Sequence, residues 1–349
     1  MSLRLQEIHR LRGVAILMIV AAHCYQFFGW TSHPFAEAIF KDVFDNSSVI
    51  FIFIAGFLFQ YLEEPRFSAP NYFLRKAKTV FLPYIIALLP ALVYAMLRGS
   101  RAFVQLPLRD FSASAQILYQ IVYPGVTINY ALWFIPVIAV YYLGAPLLRA
   151  IDQGQRYWII TVLLSLSLLM HRPTYSHGHN LSLAIYFMSA YVLAMFCSRY
   201  RELVFTWLDR NLLPLTFVFS VVFIGHLLLS DHHGKSQTTE PFETQGGDGL
   251  IDWMYLQKLL MTMVLLGLMR KFRDRPARVL DFLAGASFTI FFYHLYVVYL
   301  VSWVTRFGVP EFRLDYLLLL FVLAVGIPCL ITFGVRRLTP QWSRSLVGA

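Results

Sequence analysis

Long apolar stretches alternate with short polar segments along the whole chain. Most of these stretches approach the ~20 residues that a helix needs to cross a bilayer. They lie near 11–29, 43–62, 79–97, 130–148, 157–170, 183–198, 211–230, 253–269, 283–304 and 314–335. The pattern predicts an all-α polytopic membrane protein with about ten transmembrane helices. It forms a single transmembrane domain over residues 1–349, with no separate soluble domain.

Two of these windows and one connecting segment are less regular than the rest. The 157–170 window is short, and the 43–62 window begins with the polar run from Asp45 to Ser48. These features leave the helix count open by one. The 98–129 segment is less polar than the other connections, and two interpretations are open for it: an amphipathic surface helix or a re-entrant turn.

The composition excludes an ordinary soluble domain. The chain is 58% hydrophobic and only 14% charged, with a mean hydropathy of +0.61, whereas about a quarter of residues are charged in soluble domains. Most of the 29 Lys and Arg residues fall on one side of the predicted topology, which places both termini in the cytoplasm. This asymmetry accounts for the net charge of +10 without a nucleic-acid partner.

The first window carries two ionisable side chains, Arg12 and His23. Their spacing of eleven residues brings them to one helix face, roughly 16 Å apart along the axis. Ionisable groups in hydrocarbon usually pair, line a cavity or function. Arg12 fits either a snorkelling interfacial arginine or a ligand for an anion. His23 fits either a structural hydrogen bond between helices or proton transfer.

His294 lies at a similar predicted depth in the ninth window. Ser287 precedes it by two helical turns and so shares its face. The two side chains fit a polar bridge between helices or a place in one cavity with His23. Trp133, at the start of the fourth helix, fits an aromatic belt or a platform for a sugar ring.

Arg75, Lys76 and Lys78 form a basic cluster at the cytoplasmic start of the third helix. The cluster obeys the positive-inside rule and equally suits the phosphates of a nucleotide-bearing cofactor.

Histidines and one aspartate gather in the loops on the opposite side: His171, His177, His179, Asp231, His232 and His233. They lack thiolate partners and a Glu-x-x-His pattern, so no metal site is predicted from them. Cys24, Cys197 and Cys329 fall in or beside apolar windows and predict neither a disulfide nor a metal site.

Five segments, taken in order, resemble acyltransferase family 3, a family of membrane-bound O-acyltransferases. They are Arg12-Gly13-Val14-Ala15-Ile16 running to His23, Phe51 to Phe57, Arg75 through Pro83-Tyr84, Leu132-Trp133-Phe134, and Ser287 to His294. The order holds over nearly the whole chain. Ala55 and Phe291 stand where the family usually has Ser and Tyr.

The resemblance implies transfer of an acyl group from cytoplasmic acyl-CoA to a hydroxyl of an extracytoplasmic polysaccharide or lipid-linked glycan. Acetyl-CoA is the expected donor and succinyl-CoA the alternative. Arg12, Arg75, Lys76 and Lys78 are then expected to bind the CoA phosphates. His23 is expected to deprotonate the acceptor hydroxyl, and a covalent acyl-histidine intermediate is the open alternative. His294 and Ser287 position the acceptor or stabilise the oxyanion, and Trp133 contacts the sugar.

The same resemblance places the protein in a bacterial cytoplasmic (inner) membrane as a multi-pass protein, with membrane lipid, acyl-CoA and a surface glycan as partners and no metal. A second functional class remains open from the residues alone. A transporter or exporter of polysaccharide precursors, or of another polar solute, would also carry intramembrane charges.

Overall fold

The structure, a computed structural model, describes residues 5–98, 112–126, 128–174, 179–235, 237–238, 242, 249–305 and 310–348. The described residues form mainly α-helices. They are α1 Gln6–Tyr25, α2 Pro34–Phe44, α3 Ser48–Leu58, α4 Ala69–Lys76, α5 Leu82–Arg98, α6 Ala113–Val122, α7 Phe134–Leu143, α8 Ala145–Gln153, α9 Ile159–Met170, α10 Asn180–Arg199, α11 Arg201–Leu229, α12 Trp253–Lys271, α13 Arg278–Val304, α14 Leu314–Leu338 and α15 Ser343–Val347. One short parallel pair, β1 Arg172–Pro173 and β2 Gln237–Thr238, joins two connecting segments. The all-α prediction is confirmed.

All ten apolar windows contain helix, but fewer helices qualify as membrane spans. Within the described residues, seven helical spans are long and apolar enough to cross a bilayer, or eight if Tyr130–Leu143 and Ala145–Gln153, bent by 54°, form one. Helix α9 has only 12 residues, and the polar Gln257 and Lys258 interrupt the apolar sequence of α12. By these criteria the described residues therefore contain seven or eight candidate spans, compared with the about ten that the sequence predicts. The protein is a multi-pass membrane protein.

The 43–62 window is broken at its polar run. Helix α2 ends at Phe44 and α3 begins at Ser48, and Asn46 between them has a φ of 57°. Asparagine adopts this left-handed conformation more readily than most residues, which permits the sharp corner. Because Asp45, Asn46 and Ser47 are all buried, the corner brings polar groups inside the protein.

Two glycines of the family motifs lie where helices approach closely. A Cβ atom at Gly13 of α1 would lie 2.7 Å from Leu280 Cδ1 and 2.8 Å from the Leu280 carbonyl oxygen. A Cβ atom at Gly56 of α3 would overlap the Tyr191 backbone of α10. Small residues at such crossings let membrane helices pack by their backbones. The α1–α13 and α3–α10 contacts therefore depend on glycine.

The first and the last described segments of the chain lie at the same end of the helix bundle. The buried Arg10 guanidinium donates to Asp281 and to the carbonyls of Phe272, Arg273 and Arg275, at 2.8–3.0 Å. Near the start of α13, the Gly285 carbonyl accepts a 2.9 Å hydrogen bond from Arg336 near the end of α14. This end, which we call the basic end, agrees with the prediction that the termini share one side.

Candidate active site

Helix α1 connects two cavities. It is one continuous helix from Gln6 to Tyr25, so Arg12 and His23 are separated by roughly 16 Å along its axis, as the sequence predicts. Arg12 lines a cavity at the basic end, which we call the basic cavity. His23 lines a second one, which we call the histidine cavity.

The basic cavity is wide and positively charged. Its empty volume is about 1720 Å³, including its opening to solvent. Its described lining includes five cations that α1, α4, α14 and α15 contribute, namely Arg12, Arg75, Lys76, Arg336 and Arg344. Only two carboxylates, Glu63 and Asp281, face them there. Such an excess of guanidinium and ammonium groups suits phosphate groups.

Glu63 organises part of this charge. It forms ion pairs with Arg75 and with Lys76, whose Nζ lies 3.2 Å from Glu63 Oε1. The Lys76 ammonium also lies 5.2 Å from the ring centroid of Tyr72 and 5.0 Å from that of Tyr142. Aromatic faces attract cations, so this lysine is held in place before any ligand arrives.

The structure separates the predicted cationic ligands into two groups. Arg12, Arg75 and Lys76 all line the basic cavity, whereas Lys78 is exposed and lies outside its lining. The chain runs through a π-helical turn from Ala77 to Phe81, and this turn directs Thr79 and Val80 into the cavity instead. The structure therefore brings Arg75 and Lys76 of this cluster to the basic cavity but not Lys78, and donor binding by the three cations stays a prediction.

Sequence reasoning missed two cations of this cavity, Arg336 and Arg344. It counted them only as part of the basic cytoplasmic side, because nothing in their spacing links them to Arg12. They reach the cavity because α14 ends at the basic end and α15 turns back against the bundle. The signal available in the sequence was their position after the last apolar window.

The two predicted histidines meet beside the histidine cavity, because His23 lines it whereas His294 packs against His23 without belonging to the lining. The ring centroids of His23 and His294 are 5.1 Å apart, and that of Tyr130 lies 5.2 Å from His23. His23 Nδ1 also lies 3.3 Å from the Tyr130 hydroxyl. The matched depth that the sequence indicated for the two histidines is therefore a direct contact between α1 and α13.

Hydrogen bonds fix the tautomer of His294. Its Nδ1 lies 2.9 Å from the carbonyl oxygens of both Ile290 and Phe291. Because carbonyl oxygens only accept, Nδ1 must carry the hydrogen. Nε2 is then an acceptor, and it is buried without a hydrogen-bond partner among the described residues. This ring can therefore receive a proton or a hydrogen bond at Nε2.

The polar corner between α2 and α3 forms one wall of the histidine cavity. Asp45, Asn46, Ser47 and Ser48 all line it. Asp45 Oδ1 accepts a 2.7 Å hydrogen bond from the Tyr25 hydroxyl at the end of α1. The sequence marked this run only as an irregularity of a predicted helix, although buried polar residues there were the available signal.

Two cations reach the same cavity from connecting segments. Arg172 of β1 donates to Asn46 Oδ1 at 3.2 Å and lies 5.0 Å from the Trp133 ring centroid. Lys235 precedes β2, and its backbone N–H donates to Asp45 Oδ2 at 3.3 Å. Burial lowers the pKa of Lys235 below its ordinary value, Asp45 opposes this shift and Arg172 adds to it. These residues lie far from any motif, so sequence reasoning did not select them.

Trp133 and Ser287 differ in their placement. Trp133 lines the histidine cavity, where the Arg172 guanidinium lies over its ring. Ser287 lines neither cavity, and its buried hydroxyl has no hydrogen-bond partner among the described residues. It lies on the same face of α13 as His294 but two turns nearer the basic end, so the structure does not bring it to the histidines. The expected role of Ser287 in catalysis lacks a geometric basis.

A layer of three aromatic rings lies between the cavities. Phe51 lines the basic cavity, Phe291 lines the histidine cavity and Phe134 lines both. The Phe134 ring centroid lies 6.2 Å from that of Phe51 and 5.6 Å from that of Phe291. The basic cavity and the histidine cavity therefore adjoin each other, and the Phe134 side chain is part of the wall of both.

The outer histidines are distributed among different surroundings. His171 is buried at the end of α9, His179 precedes α10, and His177 lies outside the described residues. His233 contacts Asp42 of α2 together with His226 of α11.

A membrane-spanning helical bundle with a basic cavity at one end and a histidine pair beyond it suits an enzyme that transfers a group between two ligands. Residues 5–333 match the family model described as an acyltransferase domain. The chain therefore belongs to this acyltransferase family, and the resemblance seen in the motifs is confirmed. A search of curated proteins and a search of solved structures gave no significant match.

Proposed function

We propose that the protein transfers an acyl group, acetyl in the first instance, from cytoplasmic acyl-CoA to a hydroxyl of an extracytoplasmic polysaccharide or lipid-linked glycan. The observation that carries this proposal is the placement of Arg12 and His23. One helix delivers the first to the basic cavity and the second to the histidine cavity, and the cavities meet at Phe134. The setting is the inner membrane of a bacterium.

The basic cavity supplies the donor site. CoA carries a pyrophosphate and a ribose phosphate, which guanidinium groups bind well because they form charge-assisted hydrogen bonds. Arg12, Arg336 and Arg344 serve this role beside the Glu63-linked pair Arg75 and Lys76. The pantetheine arm then follows α1 past Phe134, and the thioester reaches His23 about 16 Å from the phosphates.

The histidine cavity supplies the chemistry. His23 takes the proton of the acceptor hydroxyl, whose oxygen attacks the thioester carbonyl. The carbon–sulfur bond then breaks, and the proton passes to the leaving CoA thiolate. His294, fixed by its carbonyl contacts, holds the His23 ring by direct packing and offers the Nε2 lone pair to the positive charge that develops on His23. The aromatic layer limits access of water from the basic cavity, which protects the thioester from hydrolysis.

The acceptor site lies on the other side of His23. Trp133 lines this part of the cavity with the Arg172 guanidinium over its ring, and Asn46 and Ser48 add further hydrogen-bonding groups for a sugar. These groups come from the polar corner and from the start of the fourth predicted helix. The arrangement favours a polar, hydroxyl-rich acceptor over a lipid.

Thermal unfolding of the purified full-length protein tests the donor. Acetyl-CoA at a hundred times its Kd should stabilise the folded protein by about 2.7 kcal/mol. Arg12→Ala and Arg344→Ala should reduce this stabilisation. Lys271→Ala, which removes an exposed cation outside the basic cavity, should not.

A transfer assay tests the reaction. Proteoliposomes with radiolabelled acetyl-CoA outside and a hydroxyl-rich glycan inside should yield label on the glycan for protein whose basic end faces outward. Absence of stabilisation by acetyl-CoA and succinyl-CoA, together with glycan transport without label, would favour an exporter instead.

A further inference from the structure

We propose that Asp42, His226 and His233 form a binding site for a divalent transition-metal ion, with Zn²⁺ as the best-fitting ion. The three residues lie at the end of the molecule opposite the basic end, and none of them lines either cavity. One ligand atom from each lies within 4.8 Å of the others. The site is independent of the acyl-transfer proposal.

Two of the three distances between ligand atoms are close to those of a tetrahedral site. His226 Nδ1 and His233 Nδ1 each lie 3.1 Å from the same Asp42 oxygen, Oδ2. In a tetrahedral zinc site with bonds of about 2.0–2.2 Å, neighbouring ligand atoms are roughly 3.3–3.6 Å apart. Small movements of the side chains would therefore bring all three atoms into coordination distance. Two imidazoles with one carboxylate form a ligand set that zinc enzymes use repeatedly.

The surroundings of Asp42 hold its carboxylate in place for an ion. The side chain is completely buried, and Oδ1 accepts a 2.9 Å hydrogen bond from the Gly234 backbone N–H. Hydrogen bonds of this kind orient carboxylate ligands in metal sites. The nearby Lys258 ammonium donates to the backbone carbonyls of Asp42 and Val43, at 2.8 and 2.6 Å. The ammonium thus interacts with backbone carbonyl oxygens and makes no hydrogen bond to Asp42 Oδ2, the oxygen that would bind the ion.

The site also has access and room for a fourth ligand. The His233 side chain is 24% exposed, while His226 and Asp42 close the site from within. A water molecule on the His233 side would complete four-fold coordination. Imidazole ligands disfavour Mg²⁺ and Ca²⁺, so the proposal commits to the transition-metal class.

The ion would fasten one wall of the histidine cavity. Asp42 belongs to α2, His226 to the last turn of α11, and His233 to the segment that follows. Lys235 lines the histidine cavity only two residues beyond His233. An ion at this site therefore holds that segment against α2. Sequence spacing did not indicate a metal because Asp42 lies 184 and 191 residues from its two partners.

Calorimetric titration with ZnCl₂ tests the proposal on untagged full-length protein dialysed against a chelator. The expected result is one Zn²⁺ per chain and no response to MgCl₂. His233→Ala should weaken zinc binding by more than the roughly 10- to 100-fold that second-shell substitutions cost. His232→Ala, a neighbouring histidine outside the cluster, should bind zinc as the unmodified protein does.

Asp42→Asn provides a second variant in case His233→Ala alters folding. Asparagine preserves the size of the side chain and an acceptor for Gly234 but removes the charge, so zinc affinity should fall while the circular dichroism spectrum stays unchanged. Elemental analysis of the protein as purified should find zinc at near one equivalent. Folded protein that binds no zinc, or zinc binding equal in His233→Ala and the unmodified protein, would overturn the proposal. Asp42, His226 and His233 would then be only a structural hydrogen-bonded cluster.

Discussion

The two cavities along α1 differ in how their polar groups are held. In the basic cavity, long flexible cations surround an empty volume of about 1720 Å³ and several of them approach water. In the histidine cavity, whose empty volume including open solvent is about 500 Å³, rings pack on rings and a buried helix corner supplies the polar wall. The first arrangement suits recognition of charge, and the second suits alignment of reacting atoms.

This difference implies that substitutions in the two cavities should affect different kinetic constants. Removing a phosphate ligand weakens ground-state and transition-state binding alike, so KM for the donor rises. Removing the base affects only the transition state, so kcat falls. Separate effects on KM and kcat therefore test whether the basic cavity binds the donor and the histidine cavity performs the chemistry.

The largest expected effect is that of His23→Ala. General acid–base catalysis contributes about 10²- to 10⁴-fold, so kcat for acyl transfer should fall by that factor with little change in KM for acetyl-CoA. Radiolabel transfer in proteoliposomes measures both constants. His179→Ala, which removes a histidine outside both cavities, is the matched control. Transfer at the normal rate in His23→Ala would exclude this residue as the base.

The next effect concerns Arg12, and Arg10 provides the contrast. Hydrogen bonds to charged groups contribute about 1.5–3 kcal/mol, so Arg12→Ala should raise KM for acetyl-CoA roughly 10- to 150-fold while kcat changes little. Arg10→Ala should instead lower the unfolding temperature, because this side chain ties the 272–275 carbonyls to α1. An equal loss of stability in both variants would show that Arg12 is also a structural clamp.

A smaller effect is expected at the helix crossing beside the basic cavity. A methyl group at Gly56 would overlap the Tyr191 backbone, and overpacking typically costs about 1–3 kcal/mol. Gly56→Ala should therefore lower the free energy of unfolding in mixed micelles. Gly225→Ala of α11, with no atom within 4 Å of the added Cβ, is the control and should be neutral or stabilising. Comparable losses of unfolding free energy in the two variants would contradict the close packing of α3 against α10 at Gly56.

The sequence predicted features that depend on one helix at a time. The spacing of Arg12 and His23 follows from helix geometry, and the matched depth of His294 follows from counting residues into an apolar window. The structure adds what depends on contacts between distant segments. Arg172, Lys235 and the Asp45 wall meet His23 only through the polar corner and the β1–β2 pair, which carry no periodic signal.

The count of spanning helices shows the same limit. Hydropathy located helical segments at all ten windows. In α12, however, two polar residues lower the hydropathy although they are buried against other helices. Gln257 and Lys258 are completely buried and donate to the Asp42 backbone carbonyl. A window average cannot distinguish a polar side chain that finds a partner inside the bundle from one that excludes the segment from a bilayer.

The smallest expected effect separates Lys78 from its neighbour Lys76. Sequence proximity predicts that both bind the donor. In the structure, Lys76 lines the basic cavity, whereas Lys78 is exposed and lies outside the lining. Lys76→Ala should raise KM for acetyl-CoA, and Lys78→Ala should leave KM within about twofold, since surface substitutions usually change free energies by less than about 0.5 kcal/mol. Measuring KM at low and high salt strengthens the comparison, because a long-range contribution from Lys78 would disappear on screening. Equal increases at high salt in the two variants would show that the π-helical turn rearranges when the donor binds and brings both lysines to the phosphates.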